Sequence, residues 1–194
     1  MKYALLSVSN KSGIVDFAKG LVSAGYNLIS SGGTYKVIST EGIPVMRVSD
    51  YTGSPEILNG RVKTLHPKIH GGILAQRDSS SHDLDRKVNR IELIDIVAVN
   101  LYPFKETVAK PNVTLEDAIE NIDIGGPSMV RSAAKNYKDV AVMTNPNQYG
   151  IYLDSIKGNI SIEPETLRKQ FMLEAFKHTA EYDTAISAWM SENV

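Results

Sequence analysis

Residues 94–99 of the chain, with the sequence IDIVAV, restrict its possible folds more than any other segment. The run carries apolar and mostly β-branched side chains on both faces of an extended chain, as strands buried between two layers of helices do. Shorter apolar runs at 3–8, 27–29, 45–48 and 140–143 alternate with segments of helical character. This alternation predicts an α/β fold with a mostly parallel, doubly wound sheet.

The segments between the predicted strands carry helix signals. Apolar residues recur at helical spacing after residue 13 and again from residue 163 onward. Thr114 with Asp117 three residues later indicates an N-cap with a loose capping box. Pro127 suits the first turn of a further helix, expected over residues 128–137, because the first turn does not need its missing N–H.

Two other segments are predicted to be non-helical. Residues 69–75 are expected to be extended, because Pro67 and two glycines argue against a helix. Residues 77–89 are expected to form a polar surface loop around three serines. Without internal repeats, the chain is predicted to be a single domain over 1–194, with an α/β core over about 1–145 and a helical extension over about 146–194.

Composition excludes several classes of function. The 194 residues include 21 Lys and Arg, 22 Asp and Glu, and no cysteine. The missing cysteines exclude a disulfide scaffold, a Cys-ligated metal site and a thiol nucleophile. A formal net charge of −1 argues against binding of nucleic acid through bulk charge. We find no leader peptide and no apolar stretch of membrane-spanning length, so a cytoplasmic location is expected.

Two loops offer groups that suit a phosphate. The first follows the first strand and contains Ser9, Lys11, Ser12 and Gly13, and the second follows the second strand and contains Ser31, Gly32, Gly33 and Thr34. Both lead into predicted helices, whose first N–H groups and dipole attract anions. The alternative is that these residues only cap helices. Neither loop matches a P-loop or a dinucleotide motif, so nucleoside triphosphates and dinucleotides are not indicated.

A basic stretch follows the third predicted strand. Residues 58–77 contain four Lys and Arg residues and no acidic residue. Arg61 and Lys63 lie on the same side of this segment if it is extended. The local sequence GRVKTLHP lacks the usual surface residues, which favours a binding function over a solvated basic loop. A metal site formed by His66 and His70 is the weakest interpretation, because no third ligand is near them in the sequence.

Further candidates lie near the predicted carboxyl end of the sheet. Asp123 precedes a Gly-Gly-Pro turn into a helix that carries Lys135, and such a carboxylate and ammonium suit general acid–base chemistry. The alternative is an aspartate that caps a turn and a cation on a solvated face. Tyr102, after the central strand, is either a rim aromatic or a phenol directed into the cleft. His178 and Tyr182 are predicted to be packing and capping residues.

Several motifs together resemble one family. They are SVSNKSG at 7–13, SGGT at 31–34, GRVKTLHP at 60–67, HGGILA at 70–75, NLYPF at 100–104, IDIGGPS at 122–128, RSAAKN at 131–136 and AFKHTAEYDTAI at 175–186. In this order they resemble IMP cyclohydrolase, the N-terminal half of the AICAR transformylase/IMP cyclohydrolase family. The resemblance runs from the first strand to the last helix. It implies a methylglyoxal-synthase-like fold, which is a Rossmann-like α/β sandwich, and no transformylase activity in this chain.

The resemblance also implies a reaction and a set of site residues. The reaction is closure of formylaminoimidazole carboxamide ribonucleotide (FAICAR) to inosine monophosphate (IMP) with loss of water, the last step of de novo purine biosynthesis, without metal or cofactor. The implied catalytic residues are Lys63, Tyr102, Asp123 and Lys135. The implied substrate-binding residues are Ser9, Lys11, Ser12, Gly13, Ser31, Gly32, Gly33, Thr34, Arg61, Thr64, Asn100, Ile124, Gly125 and Gly126. The implied partners are a fused transformylase domain and a second copy in a homodimer.

Two other functions fit parts of the pattern. Methylglyoxal synthase shares the implied fold and a phosphate site, but GRVKTLHP is foreign to it. A regulatory nucleotide-binding module of the same fold would bind without chemistry. Such a sensor has no need of the set Lys63, Tyr102, Asp123 and Lys135.

Overall fold

The computed structural model describes residues 1–102 and 104–194, so Pro103 of the NLYPF motif lies outside the described residues. A five-stranded sheet forms its centre, with the strands β1 (Lys2–Val8), β2 (Tyr26–Ser30), β3 (Met46–Arg47), β4 (Ile94–Asn100) and β5 (Ala141–Met143) in the order β3-β2-β1-β4-β5. All four pairings are parallel. The predicted parallel α/β fold is confirmed.

Helices connect and cover these strands. They are α1 (Ile14–Ser23), α2 (Gly32–Thr40), α3 (Val48–Thr52), α4 (Pro67–Leu74), α5 (Ser80–Val88), α6 (Phe104–Val108), α7 (Leu115–Glu120), α8 (Gly125–Lys135), α9 (Asn147–Ile156) and α10 (Pro164–Asn193), with a 3₁₀ turn at Leu58–Gly60. Apart from Asp95, the residues of β4 are buried. Because successive side chains of a strand point to opposite faces, both faces of the sheet are covered at β4.

The strand order creates a crevice beside the central strand. The chain leaves β1 toward β2 and β3 and then returns to β4 on the other side of β1. Val8 at the end of β1 pairs with Asn100 at the end of β4, so the two strands end together. In open parallel sheets, ligands bind outside the carboxyl ends of the strands where the order reverses. The loops after β1 and β4 therefore frame the expected site.

The segment predicted to be extended at 69–75 is instead part of helix α4, and this prediction is wrong. Pro67 occupies the first turn, where its missing N–H costs nothing, and His66 caps the helix by accepting the N–H of Lys68 at Nδ1, 3.1 Å away. A methyl group on Gly72 would lie 2.5 Å from the carbonyl oxygen of Glu92. This glycine therefore allows close packing and does not end the helix.

The polar loop predicted at 77–89 contains helix α5, which is a second correction. The Ser79 hydroxyl accepts the N–H of His82 at the helix start. Asp83 pairs with Arg86 at 2.5 Å and with Lys87 at 2.6 Å along one face. The apolar residues of α5, Leu84 and Val88, are exposed, so the helix buries no apolar stripe and is supported by such local pairs.

Other element boundaries differ less from the predictions. The third strand is only two residues long, because Val48 already begins α3. Helix α8 begins at Gly125, two residues before Pro127. The capping box of Thr114 and Asp117 is confirmed, with the Asp117 N–H donating to the Thr114 hydroxyl at 3.1 Å.

The longest helix lies against the end of the sheet that carries the last strand. Helix α10 packs on α8 and β5 and buries Leu167, Phe171, Ala175, Thr179 and Tyr182. This helical extension was predicted, and it is confirmed. In the part of the chain that the structure describes, no helix has the length and apolar character needed to cross a membrane.

Candidate functional site

A cleft of about 780 Å³ opens at the carboxyl ends of the strands. It brings together most of the predicted site residues, namely Ser9, Lys11, Ser31, Gly32, Gly33, Thr34, Arg61, Lys63, Thr64, Asn100, Tyr102, Asp123, Ile124, Gly125 and Gly126. These residues come from several separate segments of the chain. The fold therefore assembles them in the crevice that the strand order creates.

One end of the cleft is suited to an anion. Ser31 is the N-cap of α2, but its hydroxyl lies 3.1 Å from the Ser7 hydroxyl and does not cap the helix. The first N–H groups of α2 therefore keep no side-chain cap. The Lys11 ammonium lies above this helix end, 3.9 Å from where a methyl group on Gly33 would be. Free N–H groups, a helix dipole and an ammonium at one point favour a phosphate.

Lys11 is held in place by main-chain oxygens. Its ammonium donates to the carbonyl oxygens of Val8 and, at 3.1 Å, Ser9. Partial burial lowers the pKa of Lys11 below its ordinary value. A bound anion would offset this burial, because an opposite charge stabilises the protonated form of a lysine.

Asn100 and Thr34 hold the loop after β1. The Asn100 side-chain oxygen accepts the N–H groups of Ser9 at 2.6 Å and Asn10 at 2.8 Å. The Thr34 hydroxyl accepts the N–H of Val8 and donates to its carbonyl oxygen, both at 3.0 Å. Side chains from β4 and α2 thus engage the main-chain N–H groups of Val8, Ser9 and Asn10. The α2 N-terminus, the Lys11 ammonium and the Ser9 hydroxyl remain available to an anion in the cleft.

The other end of the cleft lies at the N-terminus of α8. The Asp123 carboxylate accepts the N–H of Gly126 at 2.8 Å. A methyl group on Gly126 would clash with this carboxylate, and one on Gly125 would lie 2.5 Å from the Thr64 hydroxyl. Only glycines let Asp123 and Thr64 approach the helix start so closely.

Lys63 and Tyr102 flank this end. The Lys63 ammonium lies 3.6 Å from where a methyl group on Gly60 would be, in the loop that forms one wall of the cleft. Tyr102 follows β4, and 56% of the residue is exposed at the rim. An ammonium, a phenol, a carboxylate and a helix N-terminus therefore surround one space, which suits proton transfer and the stabilisation of a developing negative charge.

An ion pair spans two walls of the cleft. Arg61, from the loop before α4, donates to the carboxylate of Glu120 at the end of α7. Hydrogen bonding between them raises the pKa of Arg61 and lowers that of Glu120. Sequence reasoning identified Arg61 but missed Glu120. Nothing local in the sequence marks Glu120, because its role depends on a residue 59 positions away.

Three predicted site residues do not line the cleft. The Ser12 N–H donates to the Asn10 side chain at 2.9 Å, and Gly13 is the N-cap of α1 with φ 69°, so both shape the turn behind the anion end. Lys135 lies ten residues beyond Gly125 in α8, about 15 Å along the helix axis. It faces a separate depression beside Arg77 and Asp139. Its catalytic role stays a prediction that this geometry does not support by direct contact.

The two histidines considered for a metal site have other partners. The Nε2 atom of His66 lies 3.1 Å from the Ser54 hydroxyl, and the Nδ1 atom of His70 lies 3.1 Å from the Ser132 hydroxyl. Within residues 1–102 and 104–194, no group of three His, Cys, Asp or Glu residues is arranged to hold a metal ion.

Two family models match successive parts of the chain. The family model "MGS-like domain" matches residues 13–128, and the model "AICARFT/IMPCHase bienzyme" matches residues 133–194. The curated relatives include "Bifunctional purine biosynthesis protein PurH" from Synechococcus sp. (strain CC9605), 60% identical over 97% of this chain and 36% of the relative. The protein of the same name from Prochlorococcus marinus (strain MIT 9211) is 55% identical over 100% of this chain and 37% of the relative.

The chain thus spans little more than a third of the length of these relatives. A solved structure, "Crystal structure of ForH", is similar along nearly its whole length, with a TM-score of 0.85, 32% identity, and coverage of 96% of this chain and 95% of that one. The chain therefore belongs to the MGS-like domain family, and its residues 133–194 match the model of the AICARFT/IMPCHase bienzyme.

Proposed function

We propose that the chain is an IMP cyclohydrolase, which closes FAICAR to IMP and water. The observation that carries the proposal is one cleft with an anion site at α2 and Lys11 and a group of proton-transfer side chains at α8. A nucleoside monophosphate has the matching layout, with a phosphate at one end and a reactive base at the other. The identity of about 60% to PurH relatives over almost the whole chain supports this assignment.

Binding alone supplies much of the proposed catalysis. The carboxamide nitrogen and the formyl carbon belong to the same molecule, so a cleft that fixes both ends of the nucleotide holds them in a reactive arrangement. Effective molarities for well-oriented intramolecular reactions reach about 10⁵–10⁸ M. In this proposal the α2 N-terminus and Lys11 bind the 5′-phosphate, and Arg61 and Thr64 line the nucleotide between the two ends.

The chemical step forms one bond and loses one water molecule. The carboxamide nitrogen attacks the formyl carbon, forming the C–N bond, and the formyl oxygen becomes an oxyanion. The oxygen then gains one proton that comes from the carboxamide nitrogen and one that comes from the formylamino N–H, and the C–O bond breaks to release water while the formylamino nitrogen forms a double bond to the same carbon. We assign Asp123 to accept or orient the amide proton, and Lys63 and Tyr102 to stabilise the oxyanion and return protons to it. The N–H of Gly126 already donates to the Asp123 carboxylate. The N-terminus of α8 therefore offers the N–H of Gly125 to the oxyanion.

The same proposal extends to partners. The relatives are named as bifunctional proteins, and this chain matches only about a third of their length. We propose that the chain is normally joined to an AICAR transformylase domain, which supplies the formylated substrate, and that it acts as a homodimer.

The test is turnover of FAICAR by the purified protein, followed by ultraviolet absorbance of the IMP formed, with no metal or cofactor added. We expect turnover by the unaltered chain, loss of it in Asp123→Asn, and retention of it in Asp16→Asn, which changes an exposed carboxylate on α1. Tight binding of IMP without turnover of FAICAR would show a nucleotide sensor and contradict the proposal.

A further inference from the structure

The backbone of the two loops that carry Tyr102 and Asp123 is held from outside the cleft. The N–H of Asp123 donates to the Tyr182 hydroxyl at 2.7 Å, and the N–H of Leu101 donates to Nε2 of His178 at 3.4 Å. Both acceptors belong to α10 and stand one helical turn apart, so they share a face. Neither lines the cleft.

These two N–H groups lie where regular structure has just ended or not yet begun. Strand β4 ends at Asn100, directly before Leu101, and helix α8 begins at Gly125, shortly after Asp123. A buried backbone N–H needs a partner, and here a side chain of α10 supplies it. The position of each loop therefore depends on a helix whose two acceptors lie outside the cleft.

Aromatic packing strengthens the same connection. Tyr182 is only 8% exposed, and its ring meets that of Phe104 edge-on, with 6.5 Å between centroids. Phe104 in turn meets Trp189 of the same helix at 6.2 Å. Helix α10 thus contacts the chain on both sides of Tyr102, through His178 at Leu101 and through Tyr182 and Trp189 at Phe104.

The family comparison separates this helix from the rest of the site. The MGS-like model ends at residue 128 and includes both loops, whereas α10 lies wholly within the match to the AICARFT/IMPCHase bienzyme. The two hydrogen bonds join the region that matches the MGS-like domain to the region that matches the bienzyme family. The side chains that anchor the two site loops therefore lie outside the part of the chain that matches the MGS-like model.

We infer that His178 and Tyr182 are positioning residues for the ring closure, which fix Tyr102 and Asp123 through the backbone of their loops. The inference rests on the proposed function. Misplacement of a reacting group by about 1 Å costs on the order of 100-fold in rate. Loss of either acceptor should lower kcat more than it changes KM, because the anion end of the cleft is built from other elements.

The test compares Tyr182→Phe and His178→Leu with Tyr149→Phe. Tyr149 is a matched control, because its buried hydroxyl has no hydrogen-bond partner among the described residues and it does not line the cleft. We expect kcat on FAICAR to fall about 10- to 100-fold in each of the first two variants, with KM within about threefold of the unaltered chain. Tyr149→Phe should keep its kcat. His178→Gln, whose amide oxygen can replace Nε2, should recover most of the loss.

Amide hydrogen exchange provides a reading that does not need turnover. The Asp123 N–H should exchange faster in Tyr182→Phe, and the Leu101 N–H faster in His178→Leu, with neither changed in Tyr149→Phe. If the unaltered chain turns over FAICAR and both variants keep its kcat, the inference about His178 and Tyr182 is wrong and the proposed function stands. If the unaltered chain shows no turnover, the proposed function fails, and the exchange rates alone then decide whether α10 positions the loops.

Discussion

The carboxylate of Asp123 accepts the N–H of Gly126 at 2.8 Å and occupies the space that a methyl group on Gly126 would need. We therefore expect Gly126→Ala to push the carboxylate out of place. The new methyl would also lie 2.8 Å from Cδ2 of Leu101. Overpacking of this kind costs about 1–3 kcal/mol, and kcat should fall at least about 10-fold, because displaced catalytic groups lose orientation. Denaturant unfolding and the FAICAR assay measure the two effects.

Gly150→Ala is the matched control for this change. Gly150 lies within α9 and is exposed, and a methyl group on it would have no neighbouring atom within 4 Å. Alanine in a helix is favoured over glycine by about 0.5–1 kcal/mol, so this variant should be slightly more stable and fully active. A Gly126→Ala protein with normal kcat would show that Asp123 can move without loss of function.

Lys63→Ala and Tyr102→Phe should lower kcat and leave KM nearly unchanged. The two groups are proposed to stabilise charge that develops only during ring closure, and loss of one such donor costs about 10²–10³ in rate. Steady-state kinetics on FAICAR measure the split between kcat and KM. Lys19→Ala, on the exposed face of α1, is the control. Near-normal kcat in both site variants would refute the roles assigned to them.

Lys11→Met should weaken binding of the phosphate and not the chemistry. A hydrogen bond to a charged group contributes about 1.5–3 kcal/mol, so KM for FAICAR and Kd for IMP should rise about 10- to 100-fold. Calorimetry with IMP and with inosine separates the contribution of the phosphate to the binding free energy from that of the nucleoside. Inosine lacks the phosphate, so it should bind more weakly than IMP, and its affinity should be the same for the unaltered chain and for Lys11→Met. An equal loss of affinity for inosine would place the phosphate elsewhere.

Glu120→Gln should lower KM for FAICAR. Glu120 holds the Arg61 guanidinium across the cleft, and both side chains are more than half exposed. Removal of this carboxylate frees Arg61 for an anionic ligand and takes a negative charge from the wall of the cleft. Glu116→Gln, on the same helix but outside the cleft, should leave KM unchanged. A rise in KM for Glu120→Gln would instead mean that the ion pair holds Arg61 in its binding position.

Stability should fall as the pH drops below about 6.5. Burial lowers the pKa of His70 and that of His178 from the ordinary value of 6.5, although Glu181 partly opposes this at His178. The unfolded chain then binds protons at a pH where the folded chain does not, so the stabilisation is present above about 6.5 and is lost on acidification. Melting temperatures across this range measure the effect. The double variant His70→Gln and His178→Gln should have the flatter profile, and an equally steep profile would assign the acid sensitivity to other groups.

Sequence patterns were sufficient for the strands and for the helices α1, α2, α7, α8 and α10. Residues 94–99 are apolar on both faces and form the buried strand β4, and Thr114 caps α7 as predicted. Prediction failed for helices that a periodic pattern of apolar residues does not reveal. In α4, position 72 requires a glycine because it packs against the backbone at Glu92. No local sequence pattern shows this contact. In α5, the helix is polar on most of its surface and buries no residue.

The site was predictable to the extent that it consists of loops at strand ends. Ser31 and Asp123 stand directly after strands or before helices, and such positions are recognisable in a sequence. Glu120, His178 and Tyr182 act through partners 59 to 77 residues away. Almost every residue type has a backbone N–H, so the type of the donor residue does not reveal such a hydrogen bond. Their roles therefore require the folded chain.

The hydrogen bonds from α10 bear on where the functional unit ends. A boundary drawn by sheet and crevice alone would fall soon after β5 at Met143, since all strands and cleft walls precede it. Yet the loops with Tyr102 and Asp123 are held by helix α10, in which the Tyr182 hydroxyl accepts the N–H of Asp123. The shortest segment that can hold the reacting groups in register is thus about forty residues longer than the shortest segment that contains the sheet and the cleft. Any transplant of this candidate site into another scaffold would have to carry the helix with it.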